Sequence, residues 1–466
     1  MKNGIMRSIL FVIIFAIAGC STDYNTLIKD SENEFNKNNY MRAAEKMLPY
    51  INKEDNNQLL YMMECGLMLH AAGEYEKSNK IFIEAAKLAN RIATSLRKEA
   101  AALLLNETKT NYKGEDFEVV LIHMYMGINY LMLNNADNAR ISFKKVNDLL
   151  REINLISGKD YKQNLMAKYL TAIAFELSAK VNKDENDTEF AYIEYKQIHE
   201  LDPKLEMVYG DLQRLALMLG DKDDYNKWTA KFGKKYNTPR DAGELIVFFQ
   251  AGQGAIKASR GSLLSDAKMK NGVTVSLNGM PLKAGVTVAG ALIALKIAEH
   301  PIPVFKKRSN KIRQLAINLN GYDMVSTLML EDIENTALKN MEDDYSRMYM
   351  KVAAGIAVKA AASIAAGIAA KEAAERFKKA SPYAGVIGLV VGAGTGSALA
   401  SQIKPDLRCW HSLPANLQIG RLFLKPGVYN IAVKYIDYNG KINDTRTNKI
   451  EIKKGEKAFL NYRTVY

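Results

Sequence analysis

One residue spacing recurs in the first half of the chain and constrains its fold more than any other feature. Gly66 is followed by Phe82 after sixteen residues, and Gly127 is followed by Phe143 at the same interval. In both stretches the small residue falls where two helices would cross closely, and the aromatic residue falls on the second helix. Such a unit buries its apolar face only against its neighbours. The spacing therefore predicts a solenoid of stacked helical hairpins.

The two stretches resemble tetratricopeptide repeats. The matched positions are Gly66, Gly73, Tyr75, Phe82 and Ala85 in the first stretch, and Gly127, Tyr130, Ala136, Ala139 and Phe143 in the second. Partial units surround Tyr40, Ala191 and Tyr209, and an insertion of almost one unit runs from Arg91 to Glu118. The resemblance implies a tetratricopeptide-like α-solenoid over residues 20–238.

The resemblance also implies a groove, lined by the first helices of the units, that binds extended peptides. In this register the groove residues are Met63, Leu67, His70, Met124, Ile128 and Leu131. A methionine-rich apolar groove indicates an adaptable hydrophobic protein partner. The alternative is that the insertion or the C-terminal domain fills the groove as ordinary core.

The N-terminus has the pattern of a secretion signal. Lys2 and Arg7 precede a ten-residue apolar run, Ile9–Ala18, which is too short to span a bilayer. The run ends in a sequence that resembles a bacterial lipobox, which implies removal of residues 1–19 and acylation of Cys20 with palmitate-type chains. Ser21 favours the outer membrane, facing the periplasm, under enterobacterial sorting rules. A plain secretory signal is the alternative.

The second half has the pattern of a β-rich domain with an insert. Predicted strands or hairpins cover Glu244–Gln250, Asn271–Leu282, Leu295–Phe305, Ile312–Leu319 and several short runs within Leu422–Tyr466. This spacing is typical of a small sandwich or barrel. We expect a multidomain α + β chain, with β-rich parts at 239–330 and 404–466 and a helical insert at 331–403.

The insert is rich in small residues. Twelve of the eighteen residues in 353–370 are Ala or Gly, and residues 383–402 contain no charge. Gly388, Gly392 and Gly396 recur at four-residue intervals, which is typical of a glycine-zipper face. The pattern predicts a tight helical hairpin, either packed against protein or inserted in a bilayer.

Composition and motifs exclude several classes of activity. The net charge of +13 is spread along the chain and does not indicate nucleic-acid binding. The five histidines lack the spacing of a helical zinc site, and no glycine-rich loop continues into Gly-Lys-Ser/Thr. We expect no metal, nucleotide or other cofactor, and no enzyme activity. The pair Cys409 and His411 is the remaining enzymatic alternative.

Asp406, Arg408 and Trp410 alternate along the chain and would share one face of a strand. Arg408 can then pair with Asp406 and stack on Trp410, as a structural clasp at the start of a β unit. A surface site for a partner is the alternative.

Three segments resemble an uncharacterised family of bacterial lipoproteins with tetratricopeptide-like N-termini: EDFEVVLIHMYMGINYLML, ELIVFFQAGQGAIK and DLRCWHSLPANLQIGRLFLKPGVYNI. Members often lie near lipoproteins that resemble activators of penicillin-binding proteins, which implies a role in envelope assembly. We therefore expect a lipid-anchored periplasmic scaffold that binds envelope proteins. The alternative is a membrane-inserting component of an export or pore-forming assembly that uses residues 353–402.

Overall fold

The structure is a computed structural model that describes residues 24–98, 110–157, 164–182, 185–236, 241–262, 276–277, 280–281, 300–349, 352 and 404–466. The predicted signal peptide, Cys20 and the predicted hairpin at 353–402, with Gly388, Gly392 and Gly396, lie outside these residues. So do residues 295–299 of the predicted strand Leu295–Phe305 and most of the predicted hairpin Asn271–Leu282, of which only the short pair at 276–277 and 280–281 is described.

Ten α-helices make up the described part of the first half. They are α1 (Tyr24–Asn36), α2 (Tyr40–Met47), α3 (Gln58–Ala71), α4 (Tyr75–Lys98), α5 (Asp116–Met132), α6 (Ala136–Ser157), α7 (Leu165–Asn182), α8 (Glu185–Leu201), α9 (Tyr209–Met218) and α10 (Lys222–Phe232). Successive helices pack in pairs, α3 with α4 and α5 with α6, and each pair packs on the next.

The recurring glycines lie where paired helices cross. A Cβ atom on Gly66 would come within 2.6 Å of the Phe82 ring, and one on Gly127 within 2.3 Å of the Phe143 ring. Both rings are fully buried, so neither can move aside without disturbing the core. The predicted helical-repeat fold is confirmed, and the crossings explain why glycine recurs sixteen residues before phenylalanine.

The second half contains strands β1 (Gly243–Ala251), β2 (Ile256–Ala258), β3 (Ser276–Leu277), β4 (Met280–Pro281), β5 (Val304–Lys306), β6 (Ile312–Leu319), β7 (Tyr322–Ser326), β8 (Leu328–Glu331), β9 (Asn416–Leu424), β10 (Gly427–Asp437), β11 (Ile442–Ile452) and β12 (Lys457–Arg463). Sheet I has the order β12-β1-β9-β8, and sheet II has the order β11-β10-β6-β7. Within sheet I, β1 is parallel to β12 and antiparallel to β9.

Sheet I is the middle of three layers. All nine residues of β1 are buried, because its two faces pack on different cores. Leu245, Val247 and Phe249 join sheet II in one apolar cluster. Ile246 and Phe248 join the solenoid in the other. A strand covered on both faces is a continuous apolar run, which explains the sequence ELIVFFQ.

A further helix follows β8 and covers residues 333–349. Asn340 in this helix donates a hydrogen bond of 3.3 Å to Glu115, at the start of α5. Among the residues described, none of the helices combines the length and the hydropathy that a membrane-spanning helix requires.

Candidate functional site

The predicted groove exists but it is filled by the chain itself. The six predicted groove residues are all at most 2% exposed: Met63, Leu67, His70, Met124, Ile128 and Leu131. The crevice in which Ile128 and Met166 face Phe248 and Leu417 of sheet I leaves no room for a water molecule. The expectation of an open peptide groove is therefore corrected, because sheet I packs its second apolar face into this groove.

His70 joins the two halves at the centre of this contact. Its Nε2 lies 2.7 Å from the Gln250 amide of β1 and 3.1 Å from the Asn461 amide of β12. Its Nδ1 lies 2.5 Å from Asn129 Oδ1 on α5. Burial lowers the pKa of His70 to about 4, so the ring is neutral, donates from Nδ1 and accepts at Nε2. His70 is a satisfied structural histidine.

We call residues 406–412 the groove segment. It precedes β9 in the chain and lies against α3 and α5, each the first helix of its pair. The backbone N–H of Trp410 donates to Glu118 over 2.7 Å. The backbone N–H groups of His411 and Ser412 donate to Glu64 over 2.6 and 3.1 Å. Two buried carboxylates of α3 and α5 thus bind the main chain of the groove segment, in the manner in which a peptide groove binds its ligand.

Both carboxylates are buried and have unusual pKa values. Burial, together with the nearby Glu115 carboxylate, raises the pKa of Glu118 to about 7. Burial also raises the pKa of Glu64. The Tyr112 hydroxyl donates to Glu118 and the Tyr24 hydroxyl donates to Glu64. These hydrogen bonds favour the charged form and offset part of the cost of burial.

The predicted clasp is formed in part. Arg408 pairs with Asp406 through Nε and a terminal nitrogen, at 2.9 and 2.7 Å. Arg408 also donates to the carbonyl oxygens of Asn56 and Thr110, which ties the groove segment to the solenoid. The expected stack on Trp410 is corrected, because the guanidinium lies 5.3 Å from the ring of Tyr112 instead.

Trp410 has a different role from the one predicted. It is 1% exposed and packs against two solenoid rings that stack on each other, Phe82 at 5.9 Å and Tyr125 at 6.0 Å. Its indole nitrogen donates to Ser412 over 3.0 Å. Trp410 is thus the apolar anchor of the groove segment in the solenoid.

The Cys409–His411 alternative lacks access to a substrate. Cys409 is 1% exposed, and its sulfur accepts the backbone N–H of Lys257 over 3.3 Å. His411 Nδ1 lies 3.5 Å from Glu32. The neighbouring cavity, lined by Glu32, Glu64 and Ser412, has a volume of about 10 Å³, which suits a single water molecule.

A buried ionic network joins the other end of the solenoid to sheet I. Arg421 of β9 contacts Asp211 at 2.7 Å, Glu176 at 3.0 Å and also Glu244. Arg214 and Lys457 complete the network. Burial acts to raise the pKa of Glu176, but the cations hold it well below its usual value. The network contains three carboxylates and three cationic side chains, so its formal charges balance.

Sequence reasoning missed Glu64, Glu118 and Arg421. Each is a charged residue within an apolar run: Glu64 in LLYMMECGLML, Glu118 in DFEVVLIHM and Arg421 in LQIGRLFL. Isolated charges in apolar runs are buried with their partners when the run is buried. That signal was in the sequence, although it does not name the partners.

No family model matches the chain, and no curated protein matches its sequence. Several solved structures are similar to it. They include MamA from Desulfovibrio magneticus RS-1, with 14% identity over 45% of this chain and 93% of that chain, at a TM-score of 0.29. Nearly identical tetratricopeptide-like repeats of Podosopora anserina match at 11% identity over 44% of this chain and 92% of theirs, at a TM-score of 0.30.

A tetratricopeptide-repeat protein of Parabacteroides merdae also matches, at 16% identity over 46% of this chain and 81% of its own, with a TM-score of 0.21. These neighbours are repeat proteins. All three TM-scores are below 0.5, so the tetratricopeptide-like character of this chain rests on its own helix pairs and glycine crossings.

Proposed function

We propose that the chain is a non-enzymatic, lipid-anchored adaptor of the bacterial cell envelope, in the outer membrane and facing the periplasm. The observation that carries the adaptor role is the single apolar core that the solenoid shares with sheet I. A shared core holds the two halves in one fixed arrangement, which suits a protein that positions partners. The lipid anchor and the role in envelope assembly are supported by the sequence around Cys20 and by the family resemblance.

Partner binding is assigned to the outer surface, since the groove is filled. The edge region formed by β7 of sheet II and β8 of sheet I, which follow each other in the chain, offers large apolar side chains: Tyr322, Met324, Leu328 and Met329 are between 44% and 76% exposed. No Lys, Arg or Pro lies between residues 321 and 330, although natural edge strands usually carry such residues against unwanted pairing. This edge is the first place to test for a protein partner.

Photocrosslinking in cells tests the assignment. A photoreactive residue at Tyr322 is expected to yield one specific adduct that disappears in Met329→Lys, whereas the same probe at exposed Ile141 is the control. Absence of any adduct from Tyr322, or an equal pattern from Ile141, would contradict it.

Membrane fractionation tests the anchor. The wild type is compared with Cys20→Ser supplied with a cleavable signal that is not a lipoprotein signal, and membranes are washed with carbonate. Release of the variant as soluble periplasmic protein supports a lipid as the sole anchor. Release of both proteins would contradict the lipid anchor.

A membrane-inserting role for residues 353–402 is the second candidate. The observation in its favour is that described residues on either side of this segment contact the starts of α5 and α1. Asn340, in the helix that precedes the segment, contacts Glu115, and Cys409 follows the segment and accepts a 3.4 Å hydrogen bond from Tyr24. Retention of Cys20→Ser in carbonate-washed membranes without a partner would favour this candidate.

A further inference from the structure

Four segments of the chain meet at one end of the molecule, around Tyr24. We name this surface, residues 24–30, 53–57, 110–115 and 404–408, the tether face. The Tyr24 hydroxyl donates to the carbonyl of Cys409 over 3.4 Å. Arg408 donates to the carbonyls of Asn56 and Thr110 over 3.1 and 3.2 Å. The backbone N–H of Tyr112 donates to the Asn56 carbonyl over 2.7 Å, so the segments form one continuous surface.

The tether face and sheet I lie towards opposite ends of α3, because Gln250 of β1 meets His70 in the last turn of α3, whereas residues 53–57 of the face precede this helix. The groove segment leads from this face to Asn416, where β9 begins, and β9 ends at Leu424. Eight residue steps along a strand cover about 26 Å. Lys425, which follows Leu424, is exposed and therefore marks the opposite end of the sheet.

The side chains exposed on the tether face are polar. They are Thr26, Lys29, Asp30, Lys53, Glu54, Asn111, Lys113 and Lys404. None of the exposed large apolar side chains of the described chain lies in the four segments. The face is therefore suited to polar headgroups and not to hydrocarbon.

The distance between the lipidated residue and this face is short. Only Ser21, Thr22 and Asp23 separate Cys20 from Tyr24. Four residue steps span at most about 14 Å when fully extended. An acylated Cys20 at the bilayer surface therefore keeps the start of α1 within that distance of the lipid.

We propose that the tether face is the surface that the protein turns towards the phospholipid headgroups, with the Lys425 end of sheet I pointing away. This inference rests on the lipid anchor proposed above. The occupant of the face is the lipid surface and not a second protein. The proposal also places β7, β8 and the remaining protein surface relative to the membrane.

Quenching by lipids with a nitroxide headgroup tests the orientation. The lipidated mature chain carries a fluorophore on Lys113→Cys, on Lys404→Cys or, as the matched control, on Lys425→Cys. The native thiols of Cys65 and Cys409 are 0% and 1% exposed and do not compete for the label. Each protein is reconstituted in phosphatidylcholine vesicles that contain no other protein, and flotation is measured first.

Labels at Lys113 and Lys404 are expected to be quenched at least about threefold more than the label at Lys425, because Lys425 lies beyond the far end of β9, about 26 Å from the end that the groove segment reaches. Equal quenching at all three sites, or stronger quenching at Lys425, overturns the orientation while leaving the anchor intact. If the mature chain does not float with the vesicles, the lipid anchor is overturned, and the proposed orientation with it. Two independent sites on the face guard against one variant that misfolds.

Discussion

The solenoid meets the second half of the chain through polar contacts at two ends, the groove segment and the Arg421 network of sheet I, which are built differently. At the groove segment, Glu64 and Glu118 accept backbone N–H groups, and neither forms an ion pair with the described residues. At the far end, Arg421 contacts three carboxylates, and two further cations complete the network. At the first end, carboxylates accept hydrogen bonds from the main chain. At the second end, oppositely charged side chains form ion pairs.

The difference determines how each end responds to protons. Buried carboxylates without a paired cation have raised pKa values, as for Glu118 at about 7. In the network, the neighbouring cations hold the pKa values of Glu176 and Glu244 below their usual range, although burial raises the pKa of Asp211. The groove end should therefore depend on pH near neutrality, whereas the network end should depend on the integrity of its charge balance.

The largest effect is expected from Trp410→Ala at the groove end. The substitution removes a buried indole that packs against Phe82 and Tyr125 and leaves a cavity. We expect a loss of about 4 kcal/mol in the free energy of unfolding, measured by urea denaturation. Leu155→Ala, at a site that is 81% exposed, is the control and should change stability little. A small effect at Trp410 would mean that the groove segment is not anchored as described.

Arg421→Met tests the network end. It leaves Glu176, Asp211 and Glu244 with only two cations in a buried site. Removing one partner of such a network is expected to cost about 3 kcal/mol. Arg151→Met breaks an exposed pair with Asp148 and should cost less than about 1 kcal/mol in the same assay. Equal costs for the two variants would remove the distinction between the two ends.

Glu118→Gln sharpens the comparison through pH. Folded Glu118 binds its proton below about pH 7 and an exposed glutamate only below about 4.5, so this residue stabilises the fold as the pH falls between these values. His70 acts in the opposite sense, because its folded pKa of about 4 lies below its usual 6.5. The pH dependence of the wild type alone therefore does not isolate Glu118. The free energy of unfolding of the wild type is compared with that of Glu118→Gln at each pH.

Glu118→Gln should lower the free energy of unfolding by at least about 1 kcal/mol more at pH 5 than at pH 7.5, because only the wild-type residue changes its protonation between these pH values. A cost that is independent of pH would show that Glu118 is ionised throughout this range in the folded chain.

The repeat half could be predicted because its signals are local. Gly66 and Phe82, and likewise Gly127 and Phe143, belong to neighbouring helices, so their spacing in the sequence reports their contact directly. Strand β6 was predicted with the observed bounds, Ile312–Leu319, for the same reason: an apolar run between turn residues.

The contact between the halves could not be predicted, since it joins residues that are far apart in the chain. His70 meets Asn461, and Glu64 meets Ser412. The apolar run of β1 predicts a buried strand but does not indicate what covers each of its faces. The parallel pairing of β1 with β12, across some two hundred residues, leaves no local signal in either strand.

Site-resolved crosslinking with photo-methionine in living cells tests most directly whether the chain fills its own groove. Met166 is 1% exposed and faces Phe248 and Leu417, whereas Met218 is 63% exposed and serves as the control. Crosslinks from Met166 are expected to stay within the chain and to join peptides that contain residues 243–251 or 416–424. Adducts from Met166 to another protein would contradict the account and restore the groove as a partner site.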